Sequence, residues 1–165
     1  MITRISKLLL LVAISGYYTF VVFNNLTDFD SNFQFVRHVL MMDTTLPHNH
    51  GLWRAILSPA LHRAFYISII VWEIVTTLIL WTGSLQLGRR LLSPLEEFEA
   101  AKKIPLIGLT LSMLMWLVAF LTVGAEWFLM WQSHMWNGQD AAFRMFAVVG
   151  IILLLLLQPE RSSQP

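Results

Sequence analysis

The chain holds 165 residues with a formal net charge of +1, an apolar fraction of 56% and a charged fraction of 13%. Soluble domains carry about 25% charged residues. A water-soluble core of this size cannot hide so much apolar surface, whereas a lipid-facing protein need not hide it. The near-neutral balance gives no electrostatic footprint for nucleic acid, and the lack of cysteine excludes disulfides, Cys-ligated zinc and iron–sulfur clusters.

The first apolar run, 8–23, follows Arg4 and Lys7 and imitates a secretory leader. No small-x-small cleavage site follows. The run passes through Tyr17, Tyr18 and Phe20 into Asn24-Asn25, and reads as an uncleaved first span.

The next segment, 24–63, is forty residues long, too long for a plain helix connection. Ser31-Asn32-Phe33-Gln34 has a capping-box pattern. Phe33, Val36, Val39 and Leu40 then follow helical spacing, which predicts a short amphipathic helix. Such a helix either caps the bundle or docks a partner. His48-Asn49-His50, with His38 and Asp43 upstream, is a weak metal signal because it lies on a loop, and no metal is expected there.

The second run, 64–87, has Glu73 as its only charge. Ser58-Pro59 upstream reads as a helix start, with serine as N-cap and proline at the first helical position. Glu73 lies nine residues into the run, about 14 Å from its outer end and near the bilayer midplane. An ionisable group there is expensive against lipid and must turn inward. At about 100° per residue, His62, Tyr66, Glu73 and Thr76 or Thr77 share one narrow face. This polar stripe is a candidate site for a proton or ion path or a quinone headgroup. The structural alternative is a carboxyl hydrogen-bonded to the first span through Ser15 or Thr19.

The loop 88–103 holds Ser93-Pro94-Leu95-Glu96, a second capping-box pattern, which predicts a short helix from Pro94 to about Lys103. The third run, 104–125, is expected to continue as helix through Glu126, Trp127 and Trp131 to about Ser133. Gly108, Ser112, Ala119 and Thr122 share a face with Glu126 and predict a close-packing seam. The fourth run, 141–157, starts near Arg144, which can snorkel to the headgroups. Glu126 lies ten residues before the turn Trp136-Asn137-Gly138 and Arg144 lies near the start of the fourth run. Similar depth in an antiparallel hairpin predicts a Glu126–Arg144 ion pair.

These four runs define an all-α, four-helix transmembrane bundle with an amphipathic helix in the first external loop. Lys and Arg favour cytoplasmic loops. Seven (Arg4, Lys7, Arg89, Arg90, Lys102, Lys103, Arg161) lie on the side of the termini and four (Arg37, Arg54, Arg63, Arg144) on the other. Both termini are therefore expected in the cytoplasm. Trp53, Trp127, Trp131 and Trp136 then fall at the outer interface, as an aromatic belt or, with Phe35 and His38, as a partner surface.

Two blocks carry a resemblance. One is Asn24-Asn25-Leu26-Thr27-Asp28 with the stretch from Phe35 to Thr44. The other is Gly124-Ala125-Glu126-Trp127-Phe128-Leu129-Met130-Trp131-Gln132-Ser133, then Trp136-Asn137-Gly138-Gln139 and Ala142-Phe143-Arg144. Together they resemble the bacterial predicted small integral membrane proteins of domain-of-unknown-function family 2165, over nearly the whole chain. The resemblance implies a small multi-pass inner-membrane protein and carries over no activity.

No nucleotide-binding glycine loop, nucleophile elbow or HExxH motif is present. His62 and His134 approach the outer end, but no histidine lies deep in a span, so neither haem nor any other cofactor is expected. The leading expectation is a non-catalytic accessory, scaffold or assembly subunit, in the bilayer with a membrane-protein partner or as a homo-oligomer. The alternative is a small transporter or proton-conducting protein built around Glu73.

Overall fold

A computed structural model describes residues 1–160; Arg161, used in the orientation count, lies outside them. The described residues form helices and loops, and four helices are long and apolar enough to cross a membrane. The first is α1, Ile2–Thr27. The amphipathic α2, Phe29–Met41, follows after a single residue. The second span is α3, Pro59–Arg89. A short α4, Leu95–Ala101, leads into α5, Lys103–Leu114, which continues as a π-helix over Met115–Trp127. The last span is α6, Gln139–Leu157. Each apolar run sits inside a longer helix.

The ends follow local chemistry, with two exceptions. Ser58 caps α3 by accepting from the Leu61 N–H, and Pro59 takes the first helical position. Ser31, by contrast, lies inside α2 and caps nothing: Asp28 ends α1 and starts α2 without a side-chain cap bond. The helix starts early because Phe29 and Phe33 both pack on the Tyr66 ring, at 4.7 and 6.0 Å. Nor does Ser93 cap α4. Pro94 holds the N-cap position, and the Ser93 carbonyl accepts from Arg4 at 2.7 Å instead.

The third span stops at Trp127, short of Ser133. Phe128 leaves helical geometry, Leu129 is left-handed at φ 55°, and a 3₁₀ turn follows over Met130–Gln132. The cause is packing outside the bundle. Phe128 and Met130 are drawn into a small second core with Val39, Leu40 and Met42, which fastens α2 as a cap over the bundle end away from Met1.

The main core joins the four spans through Leu11, Tyr18, Leu80, Leu109, Trp116 and Val149. α3 and α5 approach closely at two glycines. A Cβ on Gly83 would lie 2.8 Å from the Pro105 nitrogen, and one on Gly108 would lie 2.8 Å from Leu80. Phe20, Leu78, Ile151 and Leu154 point outward, where lipid covers them.

Candidate functional site

α1 and α3 run antiparallel and face each other with polar stripes. On α3, His62, Tyr66, Glu73 and Thr76 are all buried, as their spacing predicts, while Thr77 is half-buried. On α1 the buried positions include Lys7, Ser15, Tyr18 and Asn25.

Asn25 is the centre of the half nearer α2. Its side-chain carbonyl accepts from Asn32 of α2 at 2.7 Å and from the Tyr66 hydroxyl at 3.0 Å, and its amide donates to Glu73 Oε2 at 2.6 Å. The first span therefore answers Glu73 through Asn25, one helix end away from the expected Ser15 or Thr19. Ser15 instead meets Ser84 at 3.1 Å, and Thr19 accepts from the Trp81 indole at 2.9 Å. Glu73 is 3% exposed and forms no ion pair among the described residues. Its other oxygen, Oε1, makes no hydrogen bond among the described residues.

Two of the remaining members of the predicted stripe, His62 and Thr77, have other partners. His62 bonds through Nε2 to the Ile56 carbonyl at 2.7 Å and so braces the loop before α3. Thr77 donates to the backbone carbonyl of Glu73 at 2.7 Å. The Thr76 hydroxyl is buried without a partner.

A cavity of about 340 Å³ opens beside this network. Asn24, Asn32, Tyr66, Glu73, Trp116 and Gly138 are among the residues that line it. Trp116 is fixed by donating its indole N–H to the Tyr18 hydroxyl at 2.9 Å, and Tyr18 in turn bonds Ser112. Towards the termini the bundle closes: Leu11, Leu80, Leu87 and Leu109 are wholly buried. The site is thus a largely apolar pocket with a few polar groups on its wall, Glu73 among them, and a packed apolar floor.

Beyond that floor a second polar cluster ties the chain ends together. Lys7 bonds the Gln158 carbonyl and Glu160, both at 2.6 Å, and Lys102 bonds Glu99 at 2.7 Å and the Gln158 carbonyl at 2.9 Å. Burial pushes the Glu160 carboxyl up, but the Lys7 and Thr3 bonds and the charges of Lys7 and Lys102 outweigh it and hold it below the usual carboxylate range.

The Glu126–Arg144 ion pair does not form. Both side chains are exposed, and the ion pairs among the described residues lie elsewhere. Winding explains the miss. In the π segment the Phe128 N–H reaches Val123 and the Thr122 hydroxyl reaches Leu117, both five residues back. Each residue then advances the face by less than the α-helical ~100°. The seam that holds through Gly108 and Ser112 is lost beyond them, with Ala119 half-buried and Thr122 exposed.

The outer aromatic residues divide. His38 stacks on Trp136 at 4.7 Å and bonds Asp43 at 2.7 Å, while Phe35 packs edge-on to Trp136 at 6.3 Å. Trp127 and Trp131 stay exposed, with Trp53 beside Trp127 at 5.9 Å. His48 and His50 join no group of three metal-ligating side chains among the described residues.

Asn25 and the aromatic lining were missed in the sequence. The signal was available: Ser15, Tyr18 and Asn25 fall on one α-helical face, but Asn24-Asn25 reads as the end of a span.

A family model described as predicted small integral membrane protein (DUF2165) matches residues 3–159. No curated protein and no solved structure matches the chain.

Proposed function

The chain belongs to the DUF2165 family of predicted small integral membrane proteins, and we propose that it is a carrier-type transporter which takes a small solute from the outer side of a bacterial inner membrane to Glu73. Both termini lie in the cytoplasm on this reading, as the Lys and Arg distribution supports. The observation that carries it is the cavity of about 340 Å³ with a buried, ion-pair-free carboxyl at its depth. Its volume falls at the lower end of the range for small-molecule sites, about 300–1,000 Å³. The packed leucine floor supports a carrier over an open pore, since Leu11, Leu80, Leu87 and Leu109 are wholly buried on the side of the Lys7 cluster.

Thermal melting in detergent against a panel of cationic, neutral and anionic solutes tests the reading. At least one solute raises the melting temperature of the wild type and leaves Glu73→Gln unmoved. A panel without any Glu73-dependent shift contradicts it.

A second reading, an accessory or scaffold subunit, draws on the outer cap. The cap is braced by Gln132, which accepts from the Leu46 N–H and from Asn49, and by Thr44 bonded to Ser133. This rigid frame presents Trp53, Trp127 and Trp131 outward. Mild-detergent purification decides between the two: a stoichiometric membrane partner favours the subunit, and a partner-free protein the carrier.

A further inference from the structure

We propose that the Glu73 cavity selects a small organic cation with an apolar body, an alkyl- or arylammonium; this rests on the solute-site reading above and names the class of solute. Four observations carry it.

The first is missing countercharge. The ion pairs among the described residues are Lys7–Glu160, His38–Asp43, Arg90–Glu97 and Lys102–Glu99, and none includes Glu73. An ionised carboxylate buried without a cation pays a desolvation penalty that a bound cation offsets. The second is the state of the polar partners. The Asn25 side-chain carbonyl already accepts two bonds and its amide donates to Glu73 Oε2. What remains at the depth of the cavity is an acceptor, Glu73 Oε1, which calls for a donor or a positive charge and repels anions.

The third is the aromatic lining. Tyr66, Trp116 and Phe120 share the cavity with Glu73, and ring faces attract cations. These rings are held before any ligand arrives: Trp116 by its bond to Tyr18 and by Phe120 at 4.9 Å, Tyr66 by its bond to Asn25 and by Phe29 at 4.7 Å. Binding therefore spends little side-chain freedom on ordering the site. The fourth is room for an apolar body. A neighbouring apolar cleft of about 240 Å³ shares Phe35, Val36, Ile69 and Phe120 with the cavity and continues between α2, α3 and the π segment.

The test is a calorimetric titration of the full chain in phosphatidylcholine nanodiscs, with empty discs subtracted. The probes are phenyltrimethylammonium and its uncharged isostere tert-butylbenzene. The cation binds saturably at one site, and on the order of tenfold more weakly in Glu73→Gln. Phe120→Leu, which leaves the Asn25 bonds intact, weakens it severalfold. The isostere binds at least ~10-fold more weakly than the cation. Equal, Glu73-dependent affinity for both probes overturns the cation class and leaves the solute site standing. Absence of saturable binding by the cation, in protein whose helical circular dichroism and melting match the wild type, overturns the inference; the solute panel then judges the site by itself.

Discussion

Asn25 carries three hydrogen bonds on one small amide, and it joins α1, α2 and α3 from a buried position. Replacing it with leucine strands the Tyr66 hydroxyl and Glu73 together. Asn25→Leu is expected to cost about 1–3 kcal/mol, by the usual penalty for buried polar groups left unmade, read as a lower melting temperature in detergent. Glu73→Gln keeps an acceptor for the Asn25 amide and is expected to melt near the wild type, which makes it the clean probe of function. Arg144 is exposed and has no ion-pair partner among the described residues, so Arg144→Leu is expected to shift stability by less than ~0.5 kcal/mol. A larger loss would restore the pairing that the π winding removes. At this scale His62, Tyr66, Glu73 and Thr76 were legible, because a regular helix turns spacing into a shared face. Their partners were not, since periodicity within α3 says nothing about which residue of α1 stands opposite.

Among the elements, the third span departs furthest from expectation. Its α-helical half packs through Gly108 and Ser112, whereas its π-helical half turns Glu126 and Thr122 away from the bundle while Trp116 lines the cavity. Composition does not announce this: Met115–Trp127 is as apolar as any span and carries no proline. The two capping boxes misled for a related reason. Ser31 and Ser93 have the local pattern, but aromatic packing on Tyr66 and the Arg4 bond to the Ser93 carbonyl decide where the helices begin. The α3–α5 contact gives a sharp prediction. Gly83→Ala drives a methyl against the Pro105 backbone, 2.8 Å away, and is expected to destabilise by about 1–3 kcal/mol through overpacking. Alanine at Gly16, where the space is open, is the control and leaves melting unchanged.

For the whole molecule, the two ends of the bundle are built differently. The end carrying the termini is clamped by Lys7, Lys102, Glu99 and Glu160, and the other end holds the cavity under its α2 cap. The folded-state carboxyl of Glu160 titrates below its unfolded value, so its contribution to stability is present above the ordinary carboxylate range and is lost as pH falls through the lower, folded value. Melting curves between about pH 6 and about pH 3 are therefore expected to separate wild type from Glu160→Gln at the upper end and to converge at the lower. Four spans were legible because hydrocarbon imposes a length and a polarity on each one. The cavity was not, because it arises where α1, α2, α3, the π segment and α6 meet, a junction that no single stretch of chain encodes.

The central claim is a water-filled pocket that reaches Glu73 from one side of the membrane only. The chain contains no cysteine, so single cysteines report without background. Val21 lines the cavity near Glu73, and Leu109 sits in the wholly buried floor. A membrane-impermeant thiol reagent applied to the outer face is predicted to label Val21→Cys and to spare Leu109→Cys, with neither labelled from the cytoplasmic face. Protection of Val21→Cys from the outer face, or its labelling from the cytoplasmic one, would contradict the account.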